Sequence, residues 1–300
     1  MWCHEGKVSL AAFISGIITT VFTSLLAVSF FSLELNTFRN FGLVFIGPIG
    51  TYALFCLITF FVTSTNDFAV VKRATALGVC FGLSVISIYF SPIAWKRLGV
   101  YFLFMSTFHF SEYITISWAN PQTLSTDTFM LNHSIAYLVA ATTSWLEFLI
   151  EVYMWPGLKG NTSILLVGVV MCVSGEILRK LAIVTASKSF NHIVQYQKSE
   201  DHVLVTHGVY RLCRHPSYAG WFWWSIGTQI ILANPICSIV YSYIVYRFFY
   251  ERILVEEVTL VNFFQEKYVA YQNCVPTGLP FVNGYVGSEC NENELSFTQT

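Results

Sequence analysis

The chain reads Gly208-Val209-Tyr210-Arg211-Leu212-Cys213-Arg214-His215-Pro216-Ser217-Tyr218, a polar and ring-rich run that the apolar Trp221-Phe222-Trp223-Trp224 soon follows. A second polar run, Glu251-Arg252-Ile253-Leu254-Val255-Glu256-Glu257, ends a long apolar helical stretch. An apolar hairpin with Asn234-Pro235 at its turn lies between the two runs. Because a hairpin through a bilayer returns the chain to the side it left, both runs are predicted to meet on one membrane face. We expect the functional site at that meeting point.

Composition places the chain among membrane proteins. Of its 300 residues, 55% are hydrophobic and only 11% are charged, whereas about a quarter of an average soluble domain is charged. A net charge of −1 gives no basic surface of the kind that binds nucleic acid. The eight cysteines show no CxxC and no His-paired spacing, so neither a disulfide framework nor a metal site is predicted.

The hydropathy pattern predicts an all-α integral membrane protein with eight transmembrane helices. A spanning helix needs about 20 mostly apolar residues, and the candidate spans are residues 8–31, 41–62, 74–94, 98–118, 133–153, 162–185, 221–233 and 236–250. The last continues in helical pattern to about Lys267 and is expected to project into water. We divide the chain into N-terminal membrane helices (1–120, about four spans), a membrane-embedded core (121–280) and a disordered tail (281–300). The polar composition already suggests disorder from Pro276.

The distribution of basic residues predicts the orientation. Cytoplasmic loops carry an excess of Lys and Arg. With the N-terminus in the cytosol, twelve of the 16 basic residues lie on the cytosolic side. The four lumenal ones are Arg39, Lys96, Arg97 and Lys159. Both termini and both polar runs are then predicted to be cytosolic.

Arg252 and Glu256 are the leading candidates for chemistry. Residues four apart share one face of a helix, and Arg247 and Glu251 have the same spacing. Such pairs can be ordinary ion pairs. Alternatively, the guanidinium of Arg252 can donate two parallel hydrogen bonds to a planar carboxylate. Glu256 would then accept hydrogen bonds from a cationic or hydroxyl-rich ligand.

An extended run precedes the first polar motif. Residues 202–210 alternate apolar and polar side chains, and Gly208 is expected at a bend. Extended backbone outside regular structure offers N–H and C=O groups to a ligand, as a purine edge requires. The rings of Tyr210, His215 and Tyr218 are suited to shelter an adenine or a sulfonium cation.

Three glutamates fall inside candidate spans. Charged groups at membrane depth are costly and suggest function. A transporter is therefore an alternative function, on the evidence of Glu112, Glu147 and Glu151. Packing is the other explanation, since Glu147 and Glu151 could pair with His109 or Arg179. A transporter also predicts discontinuous helices and paired repeats, and the sequence shows neither.

The combined motif resembles the isoprenylcysteine carboxyl methyltransferase family of animals. It consists of Gly208-x-Tyr210-x-x-x-Arg214-His215-Pro216-x-Tyr218, the apolar hairpin, Glu251-Arg252-x-x-x-Glu256-Glu257, and Tyr268-x-x-Tyr271-x-x-x-Val275-Pro276. Phospholipid N-methyltransferases and some sterol reductases carry a similar RHPxY module. A phospholipid N-methyltransferase is therefore the alternative enzyme, although Arg252 would repel its amine acceptor.

The resemblance implies an endoplasmic reticulum enzyme that methylates the C-terminal prenylcysteine of CaaX proteins such as small GTPases. It implies S-adenosylmethionine as cofactor in a cytosolic pocket, and no metal. Arg252 would hold the substrate carboxylate and, with Glu256, form the catalytic pair. The implied cofactor contacts are Gln195, His202, Val203, Leu204, Val205, Tyr210, His215, Pro216, Ser217, Tyr218 and Glu256.

Overall fold

The computed structural model describes residues 3–30, 38–62, 64–131, 135–198 and 202–285. Within these ranges the regular structure is helical, with no strand, so the prediction of an all-α protein is confirmed. The helices are α1 (His4–Phe30), α2 (Phe38–Val62), α3 (Thr65–Phe90), α4 (Ile93–Ala119), α5 (Ile135–Met154), α6 (Pro156–Gly160), α7 (Thr162–Ala186), α8 (Pro216–Leu232), α9 (Pro235–Phe264) and α10 (Glu266–Cys274).

Not every predicted span is apolar enough to identify by length and composition. Three helical stretches among the described residues meet that standard, His4–Leu26, Asp67–Phe90 and Ile135–Met154, and a shorter apolar stretch covers Pro48–Phe61. The predicted spans 98–118, 162–185, 221–233 and 236–250 coincide with α4, α7, α8 and α9. The eight-span count therefore stays a prediction.

Two helical groups share α4 as a common neighbour. In the first group, α3 packs against α1 and α4. In the second, α8 packs against α7 and α9. The α7–α8 contact is a close one, because Gly175 and Gly220 face each other across it. A Cβ on either glycine would lie 2.5 Å from the carbonyl oxygen of the other. Small residues of this kind let membrane helices approach backbone to backbone.

Gly175→Ala is expected to destabilise the protein by about 1–3 kcal/mol, because the added methyl overpacks the α7–α8 contact. The measurement is the melting temperature of the purified protein in detergent. Gly50→Ala is the matched control, since Gly50 lies in α2 and no described atom stands within 4 Å of its added Cβ. Equal melting temperatures for the two variants would contradict the close contact.

A buried polar cluster fixes the turn between α8 and α9. The ammonium of Lys159 is inaccessible to solvent and donates to the Glu151 carboxylate at 2.8 Å and to Asn234 Oδ1 at 2.9 Å. Arg97 is 1% exposed and donates to the carbonyl of Ile231 at 2.8 Å. Arg97 and Lys159, two of the four basic residues predicted to be lumenal, are therefore buried charges that oxygen atoms of the fold surround.

Glu147 caps the start of α9. Its two carboxylate oxygens accept from the backbone N–H groups of Ile236 and Cys237, both at 2.7 Å. Because the first N–H groups of a helix lack partners within the helix, a carboxylate there is stabilising. The predicted pairing of Glu147 and Glu151 with His109 or Arg179 is wrong, and both glutamates instead hold the hairpin turn.

Candidate active site

The hairpin of α8 and α9 brings the two polar runs together, as predicted. Tyr218, in the first turn of α8, donates its hydroxyl hydrogen to the carboxylate of Glu256. The same hydroxyl oxygen accepts from Arg252 Nε at 3.0 Å. Among the described residues Arg252 and Glu256 form no direct ion pair, so Tyr218 connects the two candidates. Arg247 and Glu251 do form the ordinary exposed pair, at 2.6 Å.

Glu257 on α9 binds the two residues that directly precede α8. Its side chain is fully buried and accepts from Arg214 Nε at 2.7 Å and from His215 Nε2 at 3.1 Å. Tyr268 adds a third hydrogen bond at 3.2 Å. Glu257 lies beyond the apolar part of α9. Burial by itself raises the pKa of this carboxyl, but the hydrogen bonds and charges of His215 and Arg214 lower it to about 2.

The segment after α10 completes this cluster. Pro276 and Thr277 accept from the backbone N–H groups of Arg214 and His215, at 2.8 and 3.0 Å. The N–H of Tyr285 donates to Glu257 at 2.7 Å. Disorder from Pro276 is therefore wrong for residues 276–285, whose backbone polar groups pair with the core. Residues 286–300, the rest of the expected tail, lie outside the described residues.

Two small adjoining cavities, of about 120 and 90 Å³, lie beside Glu256. Tyr218 and Val203 line both, and every predicted cofactor residue lines at least one. The first cavity adds Leu204, Val205, Tyr210, His215, Pro216 and Ser217, and the second adds Gln195 and His202.

The predicted extended run 202–210 is confirmed only in part, because Gly208–Arg211 form a 3-10 helix. Residues 202–206 have no regular secondary structure. No other described residue hydrogen-bonds to the backbone of Leu204 or Val205. Unpaired backbone groups at a cavity edge can bind a purine. Within the described ranges, no three His, Cys, Asp or Glu side chains are grouped to hold a metal ion.

A larger apolar cavity, of about 460 Å³, lies among α4, α5, α8 and α9. Its wall is mostly aliphatic and aromatic, and Ile244 and Phe248 on that wall are about half exposed. Arg252 lies at its polar part, and Ser217 and Tyr218 belong both to its wall and to that of the first small cavity. A polar space and an apolar space thus share one wall.

Glu112 is the centre of a second buried network, which contacts that wall through the hydrogen bond from Arg179 to Ser217. Its carboxylate takes two hydrogen bonds from Arg179, at 2.7 and 2.8 Å, and one from Lys180. His192 Nε2 lies 3.0 Å away. Arg179 also donates to Ser217 Oγ at 2.9 Å. Glu112, not Glu147 or Glu151, is therefore the partner of Arg179.

Several wall residues were missed from the sequence. Ser189, Phe190 and Asn191 line the cavities just after α7, and Leu260 and Phe264 line them from the end of α9. The first group had a usable signal, because the polar run from Ser187 to Asn191 directly follows an apolar span. Leu260 and Phe264 had none beyond the helical spacing of one residue per turn from Glu256.

Comparison with known proteins identifies the family of this chain. A model of the isoprenylcysteine carboxyl methyltransferase family matches residues 167–262. A protein-S-isoprenylcysteine O-methyltransferase of Xenopus laevis is 44% identical over 294 residues, covering 94% of this chain and 96% of that protein. The chain belongs to the isoprenylcysteine carboxyl methyltransferase family. A rat protein-S-isoprenylcysteine O-methyltransferase is 51% identical over 212 residues, covering 71% of this chain and 74% of the rat protein.

The solved structure of a eukaryotic intramembrane Ras methyltransferase, also an isoprenylcysteine carboxyl methyltransferase, has the same fold. Its TM-score is 0.87 at 42% identity, and the match covers 94% of this chain and 99% of that one. The resemblance drawn from the motif is thereby confirmed, and this membrane protein is an enzyme. Family membership favours carboxyl methylation over phospholipid N-methylation or transport.

Proposed function

We propose that this enzyme transfers a methyl group from S-adenosylmethionine to the C-terminal prenylcysteine carboxylate of CaaX-processed proteins such as small GTPases. The supporting observation is the hydroxyl of Tyr218. It touches Glu256 in the polar cavity and Arg252 at the apolar one. A cofactor from water and a lipid-bearing carboxylate can therefore meet at one residue.

The polar cavities fit S-adenosylmethionine. The carboxylate of Glu256 suits hydroxyl or ammonium groups, the backbone of Leu204 and Val205 suits a purine edge, and the Tyr218 ring suits a sulfonium. Gln195, His202, Val203, Tyr210, His215, Pro216 and Ser217 complete the proposed walls. When bound, the cofactor supplies a methyl group activated by a sulfonium.

Arg252 is the proposed anchor of the acceptor carboxylate. Its fork can donate two parallel hydrogen bonds to a carboxylate and orient one oxygen toward the donor side. A carboxyl group is already ionised near neutral pH, so no side chain has to remove a proton. The protein contributes position and exclusion of water, and alignment of reacting groups accounts for several kcal/mol of a barrier.

The apolar cavity is the proposed site for the prenyl chain. Burying a CH₂ group is worth about 0.8 kcal/mol, so the lipid supplies most of the substrate's binding. The half-exposed Ile244 and Phe248 lie where a chain can enter sideways from the bilayer. The peptide then trails into the cytosol, which allows many protein substrates.

The proposed setting is the endoplasmic reticulum membrane, with eight spans and with the site and both termini in the cytosol. The division into N-terminal helices (1–120) and a methyltransferase core (121–280) belongs to the same proposal. It is supported by the cavities, which are lined largely by residues after 120.

A transfer assay with purified protein in lipid discs tests the proposal. We expect label from the methyl donor to appear as a base-labile ester on N-acetyl-S-farnesylcysteine, and none on phosphatidylethanolamine. Label on the phospholipid alone would establish the N-methyltransferase alternative. Absence of binding between the folded protein and S-adenosylmethionine would refute the proposed cofactor.

Glu256→Ala is expected to weaken S-adenosylmethionine binding by about tenfold to a hundredfold, since a hydrogen bond to a charged group contributes about 1.5–3 kcal/mol. Titration calorimetry on the folded variant measures this. Glu266→Ala is the control, because Glu266 lies on α10 and lines neither polar cavity. Wild-type affinity in Glu256→Ala would remove Glu256 from the cofactor site.

A further inference from the structure

His192 lies in a non-helical segment after α7. It contacts both the buried Glu112 network and Arg252. Its ring nitrogen Nε2 is 3.0 Å from Glu112 Oε2, and its side chain is 23% exposed. Its backbone carbonyl accepts a hydrogen bond from the guanidinium of Arg252. One residue therefore joins a buried carboxylate of α4 to the proposed substrate anchor on α9.

Glu112 is held in place at its end of the contact with His192. Its side chain is fully buried, and Arg179 and Lys180 hold its oxygens. Because an ionised carboxylate only accepts hydrogen bonds, Nε2 of His192 carries the hydrogen and donates it. The ring thereby fixes the segment after α7, and with it the carbonyl that Arg252 contacts.

We propose that His192 is a positioning residue that sets the orientation of Arg252 without touching the reacting atoms. This inference rests on the proposed role of Arg252. Nε of Arg252 is committed to Tyr218 and one terminal nitrogen to the His192 carbonyl. These two contacts direct the remaining donors of the fork, which are those available to a carboxylate.

Loss of the ring has a defined consequence. Without its bond to Glu112, the segment around His192 can shift, and Arg252 loses one of two orienting contacts. Small displacements of a positioning group are costly, since about 1 Å can reduce a rate about a hundredfold. Glu256 keeps its own contact with Tyr218. Asn191 and Gln195 lie on the same segment as His192 and line the small cavities, so the cofactor side changes less than the acceptor side but is not independent of it.

The test is steady-state kinetics of His192→Ala and His192→Gln with varied farnesylcysteine and varied S-adenosylmethionine. In His192→Ala we expect kcat/KM for farnesylcysteine to fall about tenfold, with a clearly smaller change in the KM for the methyl donor and a nearly unchanged melting temperature. In His192→Gln an amide N–H replaces the ring donor and recovers part of the loss. His207→Ala is the control, because His207 is exposed and lines none of the three cavities.

A merely structural role would lower the melting temperature and affect both substrates alike. That result, or wild-type kinetics in His192→Ala, would overturn the inference.

A double-mutant cycle adds a stricter criterion. In the Arg252→Lys background, His192→Ala should cause much less than its tenfold loss, because residues acting through each other are not additive. Losses that multiply would show an independent role and refute the link. Wild-type activity in Arg252→Ala would overturn the proposed anchor itself, together with this inference.

Discussion

Arg252→Ala is expected to reduce kcat/KM for farnesylcysteine by about thirtyfold or more. Removing one partner of a hydrogen-bonded charge pair costs about 2–5 kcal/mol, and each 1.4 kcal/mol corresponds to a factor of ten. Arg252→Lys should recover only part of the activity, because a point charge cannot reproduce the two parallel bonds of the fork. Steady-state kinetics on folded protein measures both variants.

The chain provides a matched control for this prediction. Arg247 lies on the same helix, forms an exposed pair with Glu251 and lines neither small cavity nor the apolar one. Arg247→Ala should retain near wild-type kinetics. If Arg252→Ala keeps its activity, or if only the KM for the methyl donor changes, Arg252 does not hold the substrate carboxylate.

Glu257→Ala is expected to destabilise the protein by about 3–5 kcal/mol, because it leaves the buried guanidinium of Arg214 without its counter-charge. The same change removes the hydrogen bonds of His215, Tyr268 and the Tyr285 backbone. We expect a large fall in melting temperature and in yield of folded protein. Glu251 lies earlier on the same helix and is exposed, so Glu251→Ala should change the free energy of unfolding by about 1 kcal/mol or less.

Acid should reproduce part of this effect. The pKa of Glu257 is lowered to about 2 in the folded protein, whereas a glutamate in an unfolded chain titrates near 4.3. Its stabilising contribution is therefore complete above about pH 4.3 and is lost as the pH falls toward 2. Chemical denaturation between pH 3 and 6 should show a steeper loss of stability in wild type than in Glu257→Ala. Parallel slopes would contradict the assigned role.

Periodicity and motif spacing predicted the helical fold and the meeting of the two polar runs, since both follow from local pattern and from the hairpin at Asn234-Pro235. The partners of buried charges were not predictable in the same way. Lys159 pairs with Glu151 and with Asn234, which is 75 residues away in sequence. Such pairings depend on how helices pack, and no local pattern encodes that packing.

The candidate site shows the same division. Residues within the motif, such as Tyr218 and Glu256, line one cavity. The ion pair that the spacing left open between Arg252 and Glu256 does not form, and the hydroxyl of Tyr218 on α8 contacts both residues instead. His192 was missed, because its ring contacts Glu112, 80 residues away in sequence, and its carbonyl contacts Arg252, 60 residues away, and no local pattern encodes either contact.

The glycine contact between α7 and α8 also bears on which prenyl lengths the enzyme accepts. The backbones of α7 and α8 touch at Gly175 and Gly220, which holds α8 in place, and α8 supplies Trp221 and Trp224 to the wall of the apolar cavity. By contrast, α5 approaches α9 at only a few positions, and side chains such as Ile244 and Phe248 line that side. The cavity therefore has one fixed wall and one compliant wall. In the proposed prenyl site, a longer chain can be accommodated by displacing the compliant wall while its reactive end stays in register with the fixed one.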